Sequence, residues 1–319
     1  MGAQLRVYRQ QLKAVQATKK ITKAMELIAT SRIAKARARM KAARPYADEL
    51  TRALSALGKN ASVKHPLLTG VDSPKRSAIL LVTSDRGLAG GYSSNAIKKA
   101  NALAAELRAA DKEPVLYVIG RKGVAYYRFR KVALADSWTG FSEQPTFLDA
   151  RDATETLVSA LSATSEGESR GEPGVDELYV VSTTFQSMMT QTPVARLISP
   201  VGAADTQSGA ALADGFSDAS GVTSDGPTPS YEFEPEPAEL IAALLPRYIS
   251  AKIFSALLES ATAESAARRT AMQSASDNAS DLIHTYSRLA NQARQAEITQ
   301  EISEIVGGAD ALAAAGSDQ

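Results

Sequence analysis

The residues best placed to do chemistry in this 319-residue chain lie in Ser84–Tyr92, SDRGLAGGY. The stretch follows a short apolar run, Ser77–Thr83 (SAILLVT), and opens a helical pattern around residues 95–110. Glycines between a strand and a helix allow backbone N–H groups and the helix N-terminus to converge on a phosphate. They equally permit a tight turn and close helix–sheet packing. Their spacing, Gly87, Gly90 and Gly91, is neither G-x-G-x-x-G nor a Walker A loop, and no Gly-Lys-Ser/Thr occurs in the chain. Both readings stay open here. Other chemistries find less support. The absence of cysteine excludes disulfides, thiolate metal ligands and cysteine nucleophiles. The two histidines, His65 and His284, stand far apart in sequence. No nucleophile elbow is identified, and paired carboxylates fall in polar, solvated stretches. The residues therefore predict no catalytic site, no metal site and no cofactor.

The elements around the glycine turn read as an α/β domain. Strand candidates at 77–83, 115–119 and 178–183 alternate with helical patterns near 95–110 and 151–163. Such alternation predicts an open, parallel, Rossmann-like α/β sheet within residues 75–238. Two segments, 164–175 and 201–230, are rich in Gly, Ser and acidic residues and are expected to be flexible insertions. Directly after them, Tyr231–Pro237 (YEFEPEP) alternates Glu232, Glu234 and Glu236 with Tyr231 and Phe233. It reads either as a docking strand for a basic partner or as a solvated edge protected by charge and proline.

Long helical patterns flank this domain. Within 239–308, Phe254, Leu258, Met272, Leu282, Tyr286 and Leu289 fall on one heptad seam, with Ala and Ser between them. Small residues there let a partner helix approach closely, at the cost of apolar burial worth roughly 25 cal/mol per Å². Residues 1–58 supply a second helix: Leu5, Tyr8, Leu12 and Val15 keep the spacing. Ile21, Met25, Ile28 and Met40 continue it after a phase shift, as a stammer would produce, and Arg44-Pro45-Tyr46 interrupts it. The two helices together predict a thin coiled-coil rod with the α/β domain inserted between them, and a disordered tail over 309–319. The first fifty residues carry twelve basic against three acidic residues, +9, while residues 51–319 carry −8. That charge is either a solvated helix face or a surface for acidic partners. No apolar run reaches the ~20 residues of a membrane span, so a soluble, intracellular chain is expected.

Four blocks then resemble a known family: residues 21–32 (ITKAMELIATSR), 83–92 (TSDRGLAGGY), 267–283 (ARRTAMQSASDNASDLI) and 293–308 (ARQAEITQEISEIVGG). They are similar to the signature blocks of the gamma subunits of F-type ATP synthases, of a bacterial, actinobacterial-like kind, and stand in the same order. The resemblance implies a non-catalytic rotor shaft, a left-handed antiparallel coiled coil inside a hexamer of alpha and beta subunits. It implies a foot on the epsilon subunit and the membrane c-ring, at the cytoplasmic face of the cell membrane, and no nucleic-acid partner. Lys23, Met25, Arg294, Gln295 and Thr299 match positions that meet the beta subunits, and Tyr231 and Glu234 match foot positions on the ring. Segments 164–175 and part of 201–230 are longer than the family's common form, and the paired-cysteine switch of the chloroplast branch is excluded. Two alternatives come from other classes. A nucleotide-binding α/β regulator or enzyme with a coiled-coil oligomerisation stalk predicts binding at Gly87–Gly91. A nucleic-acid binder using the basic first helix predicts strongly salt-dependent affinity.

Overall fold

The computed structural model describes residues 2–60, 66–169, 171–201 and 236–316. They form two compact units, Ala29–Thr270 and a second made of Met1–Ile28 with Ala271–Gln319. Helix α1 (Gly2–Asn60) and the last helix, α6 (Pro237–Gly316), each supply residues to both.

Within 29–270 the chain builds a five-stranded sheet. In chain order it comprises α2 (Pro66–Thr69), β1 (Arg76–Val82), α3 (Tyr92–Ala109), β2 (Glu113–Ile119), α4 (Arg121–Phe129), β3 (Asp136–Trp138) and α5 (Phe147–Ala163). A small hairpin, β4 (Glu168–Ser169) and β5 (Glu172–Pro173), precedes β6 (Glu177–Phe185) and β7 (Gln191–Ser199). The sheet order is β3-β2-β1-β6-β7, parallel except for β7, which runs antiparallel to β6. The central strand β1 is apolar from Ala78 to Val82 because both of its faces are covered. Ala78, Leu80 and Val82 join a core with α1, α5 and α6, whereas Ile79 and Leu81 join one with α3 and α4.

The sheet is thus mixed, where the sequence predicts a parallel one. Its antiparallel edge strand β7 carries Pro193 and Arg196 and is only partly buried over its first six residues. Segment 164–175, expected to be a flexible loop, is tied down instead. Val175 N–H donates to the Ala160 carbonyl at 2.9 Å, and the Asp176 carboxylate accepts from the N–H groups of Ser165, Lys75 and Arg76 at 2.8, 2.7 and 3.0 Å. Burial pushes the Asp176 carboxyl up, but these backbone donors outweigh it and hold it below its usual range. A Cβ at Gly174 would lie 2.4 Å from the Thr164 carbonyl oxygen, so only glycine closes this hairpin. The other expected insertion, 201–230, lies outside the described residues except for buried Val201.

The helices correct the seam. On α1 the shielded positions run Leu5, Tyr8, Leu12, Val15, Thr22, Glu26, and then Ala29, Ile33, Ala36, Ala47, Leu50, Leu54. These keep one three-four spacing with no stammer, and the helix passes through Pro45 without a break. Ile21 and Ile28 face outward, at 61% and 52% exposure, and Met25 is partly shielded. Polar residues hold the inner positions because they are partnered: the Thr22 and Ser276 hydroxyls lie 2.8 Å apart, and Glu26 accepts from Lys23 at 2.9 Å. On α6, residues 271–316 shield Met272, Ser276, Ala279, Ile283, Tyr286 and Ala290. Alternate seam positions therefore fall one residue later than expected. Leu282 is 45% exposed, and Leu289 is only partly shielded.

Between 255 and 266 there is no seam at all, because α6 is buried on every side and Leu258 sits in that stretch. Phe254, half-buried, packs edge-to-face on Phe147 with ring centroids 5.7 Å apart. One window within Glu239–Gly307 reaches a mean hydropathy of 1.4, yet half of it is buried inside the protein, as a core helix requires. The helix also continues to Gly316, through residues expected to form a disordered tail.

A buried ionic hub ties this unit together. The Arg268 guanidinium donates to Glu264 at 2.8 Å, to the Gly87 carbonyl at 3.3 Å and to the Arg86 carbonyl at 3.4 Å, and it pairs with Glu143 at 3.2 Å. Glu143 also pairs with Arg32 of α1 and, at 3.6 Å, with Arg86. Removing one partner from such a cluster strands the rest without water, so Arg268→Ala should cost about 3–5 kcal/mol in urea unfolding. Burial raises the Glu264 carboxyl to about 7, with Arg268 opposing. The folded state then holds a proton that the unfolded chain releases near the ordinary value of 4.5, so stability should fall as pH rises from 4.5 to about 7 and level off above. Glu264→Gln keeps an acceptor for Arg268 and should abolish that slope, costing less than about 1 kcal/mol at pH 8. Two neighbouring isoleucines test the seam. Ile33→Ala should cost about 2–4 kcal/mol, and Ile28→Ala should stay within about 0.5 kcal/mol by the same measurement.

Candidate functional site

In open α/β sheets ligands bind beyond the carboxyl ends of the strands, at the point where strand order reverses. Here that point lies between β1 and β6, and the glycine turn 84–92 covers it. The chain fills the crevice with its own groups. The Asp85 carboxylate accepts from the N–H groups of Arg121, Gly140 and Ser142 at 3.1, 2.8 and 3.0 Å. Arg121 begins α4, so Asp85 supplies the negative charge that a bound phosphate would bring to that helix N-terminus. The turn's carbonyls at Arg86 and Gly87, rather than its N–H groups, face the Arg268 guanidinium.

Helix α6 closes the remainder. Ala263 packs on Ala89 and Tyr92, the Tyr92 hydroxyl donates to the Ser260 carbonyl at 3.3 Å, and the Thr183 N–H at the end of β6 donates to the Ser260 hydroxyl at 3.2 Å. Burial, with Glu264 adding, pushes the Tyr92 phenol far above its usual value, so it stays a neutral donor. Of the three glycines in the turn only Gly90 has a positive φ, 55°. The glycine that the crevice requires is Gly120, where a Cβ would stand 2.1 Å from the Thr83 carbonyl oxygen. The arrangement is that of a packed joint. The cavity of about 330 Å³ beside it is lined by Asp85, Glu143 and Asp149 together with Arg32 and Arg86, so three carboxylates oppose a phosphate there.

No constellation for catalysis is assembled elsewhere among the described residues, where no group of three or more His, Asp or Glu side chains could hold a metal ion. The sequence does contain one literal G-x-S-x-G, at Gly167–Gly171. It falls in the β4–β5 hairpin and not on a strand-to-helix elbow, and Ser169 pairs with the Ser159 hydroxyl at 2.9 Å. Lys23, 60% exposed at its side chain, stands over Glu26, and Met25 is half-covered. Arg294, Gln295 and Thr299 are exposed on α6, the Thr299 hydroxyl donating to the Gln295 carbonyl at 2.9 Å. Val7, Ile21, Leu27, Ile28, Leu282, Ile298 and Ile302 add large apolar side chains to the outside of the same unit. Tyr231 and Glu234 lie outside the described residues.

The residues that sequence reasoning missed are Asp85, Glu143 and Glu264. An acid inside a glycine turn is a signal against phosphate. Glu143 pairs with Arg32 and Arg268, each more than a hundred positions away, so no local pattern announces it. Glu264, by contrast, meets Arg268 one helical turn on, an i,i+4 signal that was overlooked.

A sequence model of the ATP synthase family matches residues 4–312. The ATP synthase gamma chain of Salinispora tropica is 55% identical over 325 residues, covering all of both chains. Those of Streptomyces griseus and Acidothermus cellulolyticus are 54% and 52% identical, again over the full length of both. Among solved structures, a chain from the Euglena gracilis mitochondrial ATP synthase (OSCP/F1/c-ring, rotational state 3) shares the fold with a TM-score of 0.63. It is 15% identical, and the match covers 98% of this chain and 95% of that one. A chain of the rotor of the same enzyme in rotational state 1 matches with a TM-score of 0.60 at 14% identity, over 93% of this chain and 100% of that one. By full-length identity above half, the chain belongs to the ATP synthase gamma chain family.

Proposed function

We propose that the chain is the non-catalytic rotor shaft of an ATP synthase, coupling rotation of a membrane c-ring to ATP synthesis or hydrolysis at beta subunits. The observation that carries this is how the unit formed by 1–28 and 271–319 divides its side chains, with polar groups buried among the apolar ones and large apolar groups left outside. Thr22, Glu26 and Ser276 are inside, while Ile21, Leu27, Ile28, Ile298 and Ile302 are outside. A helix pair built this way gains little from its own burial and leaves apolar area in water, so it suits enclosure by a sleeve of other subunits. The alpha and beta hexamer is such a sleeve. Lys23, Met25, Arg294, Gln295 and Thr299 are the positions offered to beta subunits, and Tyr231 and Glu234 those offered to the c-ring, with epsilon beside them. Residues 1–58 and 239–308 act as the shaft and 75–238 as the foot, peripheral to the cytoplasmic face of the membrane. Support comes from the family membership and from the glycine turn, where Asp85 rather than a bound phosphate meets the N–H groups and so speaks against nucleotide binding there.

Affinity capture of the tagged chain from gently solubilised membranes of its own source should recover alpha and beta subunits with Mg²⁺-dependent ATPase activity absent from the isolated chain. Recovery of the chain alone, or with nucleic acid, would overturn the reading. Arg294→Ala combined with Gln295→Ala should lower ATP synthesis by the assembled complex several-fold. Both side chains are exposed, so the unfolding midpoint of the isolated chain should not move.

A further inference from the structure

The surface formed by α3, α4 and the turn after α4 has a character that a shaft does not need. Residues 92–134 hold nine basic and three acidic residues, a net +6 in a chain whose total is +1. At its tip the sequence Arg128-Phe129-Arg130-Lys131-Val132-Ala133 is exposed at every position. Phe129 projects with 89% of its surface in water, and Val132 stands beside it. Lys131 adopts a left-handed φ of 56° and turns the chain back, with the Val132 N–H donating to the Tyr127 carbonyl at 3.0 Å. The phenylalanine therefore sits at the apex of a fixed turn. Arg130 lies over the Tyr126 ring at 4.6 Å, which holds one cation at the rim of the apex. Phe129 and Val132 take no part in the core, which on this side holds Val124 and Tyr127 with Tyr126 and Leu134 packed against it.

Position in the fold says which way the tip points. Helix α4 follows β2 and leads back toward β3, so its C-terminal turn lies toward the end of the sheet where β1 and β2 begin. Antiparallel β7 finishes at that same end, where Ser199 is in register with Leu178. Strand β7 thus finishes at the end of the sheet that carries Phe129.

We propose that this tip is a membrane-contact site that inserts Phe129 among the headgroups of an anionic bilayer, while Arg128, Arg130 and Lys131 pair with lipid phosphates. A protruding aromatic ringed by cations suits a deformable anionic interface, which accepts the ring and the charges together. A protein partner would need a preformed pocket lined with acids. The site lies outside the shaft surfaces, and its test needs no other subunit.

The full chain carrying Trp138→Phe and Phe129→Trp has its single tryptophan at the tip. Vesicles containing phosphatidylglycerol should shift its emission to the blue, and vesicles of phosphatidylcholine alone should not. Replacing Arg128, Arg130 and Lys131 together with Gln should weaken partition of the tip, read from that shift, about a hundredfold, on about a fivefold loss per cation. The three are exposed, so circular dichroism and thermal melting should be unchanged. Absence of a blue shift with anionic vesicles overturns the proposal, even if the chain cosediments through its basic first helix. A shift that appears only with isolated c-ring in detergent, and never with lipid, overturns it in favour of a protein contact. Neither result bears on capture of alpha and beta subunits, so failure here stays separate from failure of the shaft reading.

Discussion

One guanidinium organises the unit of residues 29–270. Arg268 can be buried only because two carboxylates and two backbone carbonyls take its charge and its donors. Those partners come from the turn after β1, the loop before α5 and α6 itself, and Glu143 extends the group to Arg32 on α1. Hydrophobic contact alone would hold these segments together with latitude in how they slide. Directional charge-assisted bonds remove that latitude. Around this point α6 is buried on all sides, and Ala261, Ala263, Ser265 and Ala266 let neighbouring segments approach it closely.

Much of the architecture was legible because it is local. The strands at β1, β2 and β6 read as short apolar runs, which is what burial on two faces demands. The strand β7 did not, since Pro193, Arg196 and a half-buried face give it neither a run nor a clean alternation. The three residues of β3 are too few to carry a period. On the helices, apolar residues were taken to mark the inside. Thr22 and Ser276 bury themselves by pairing with each other, and Ile21 and Ile28 stay out, so the inferred stammer came from joining two outward-facing residues to the partly shielded Met25 and Met40. On α6, Ala, Ser and Met stand at neighbouring positions, and a seam displaced by one residue fits their pattern equally well.

The candidate site divides the same way. The glycine turn was visible and its two roles were separable only in three dimensions, where Asp85 meets three N–H groups from distant segments. Family motifs located the chain among ATP synthase gamma chains more sharply than any single residue's chemistry did, because four blocks spread along the chain carry more information than one turn. The unit of 1–28 and 271–319 buries Thr22, Glu26 and Ser276 among its apolar residues. Its interior is polar enough to be specific and poor enough in apolar area to need company.

Asp85 carries a consequence for how this fold meets the cell. A domain that binds a free anion is stabilised by RT ln(1 + [L]/Kd), so its folding tracks the supply of that ligand. Here the anion is covalently part of the chain and its effective concentration never changes. Fluctuations in nucleotide or phosphate leave the joint between turn and helix untouched. In a machine that works amid shifting ATP and phosphate levels, that part is insulated from metabolic state.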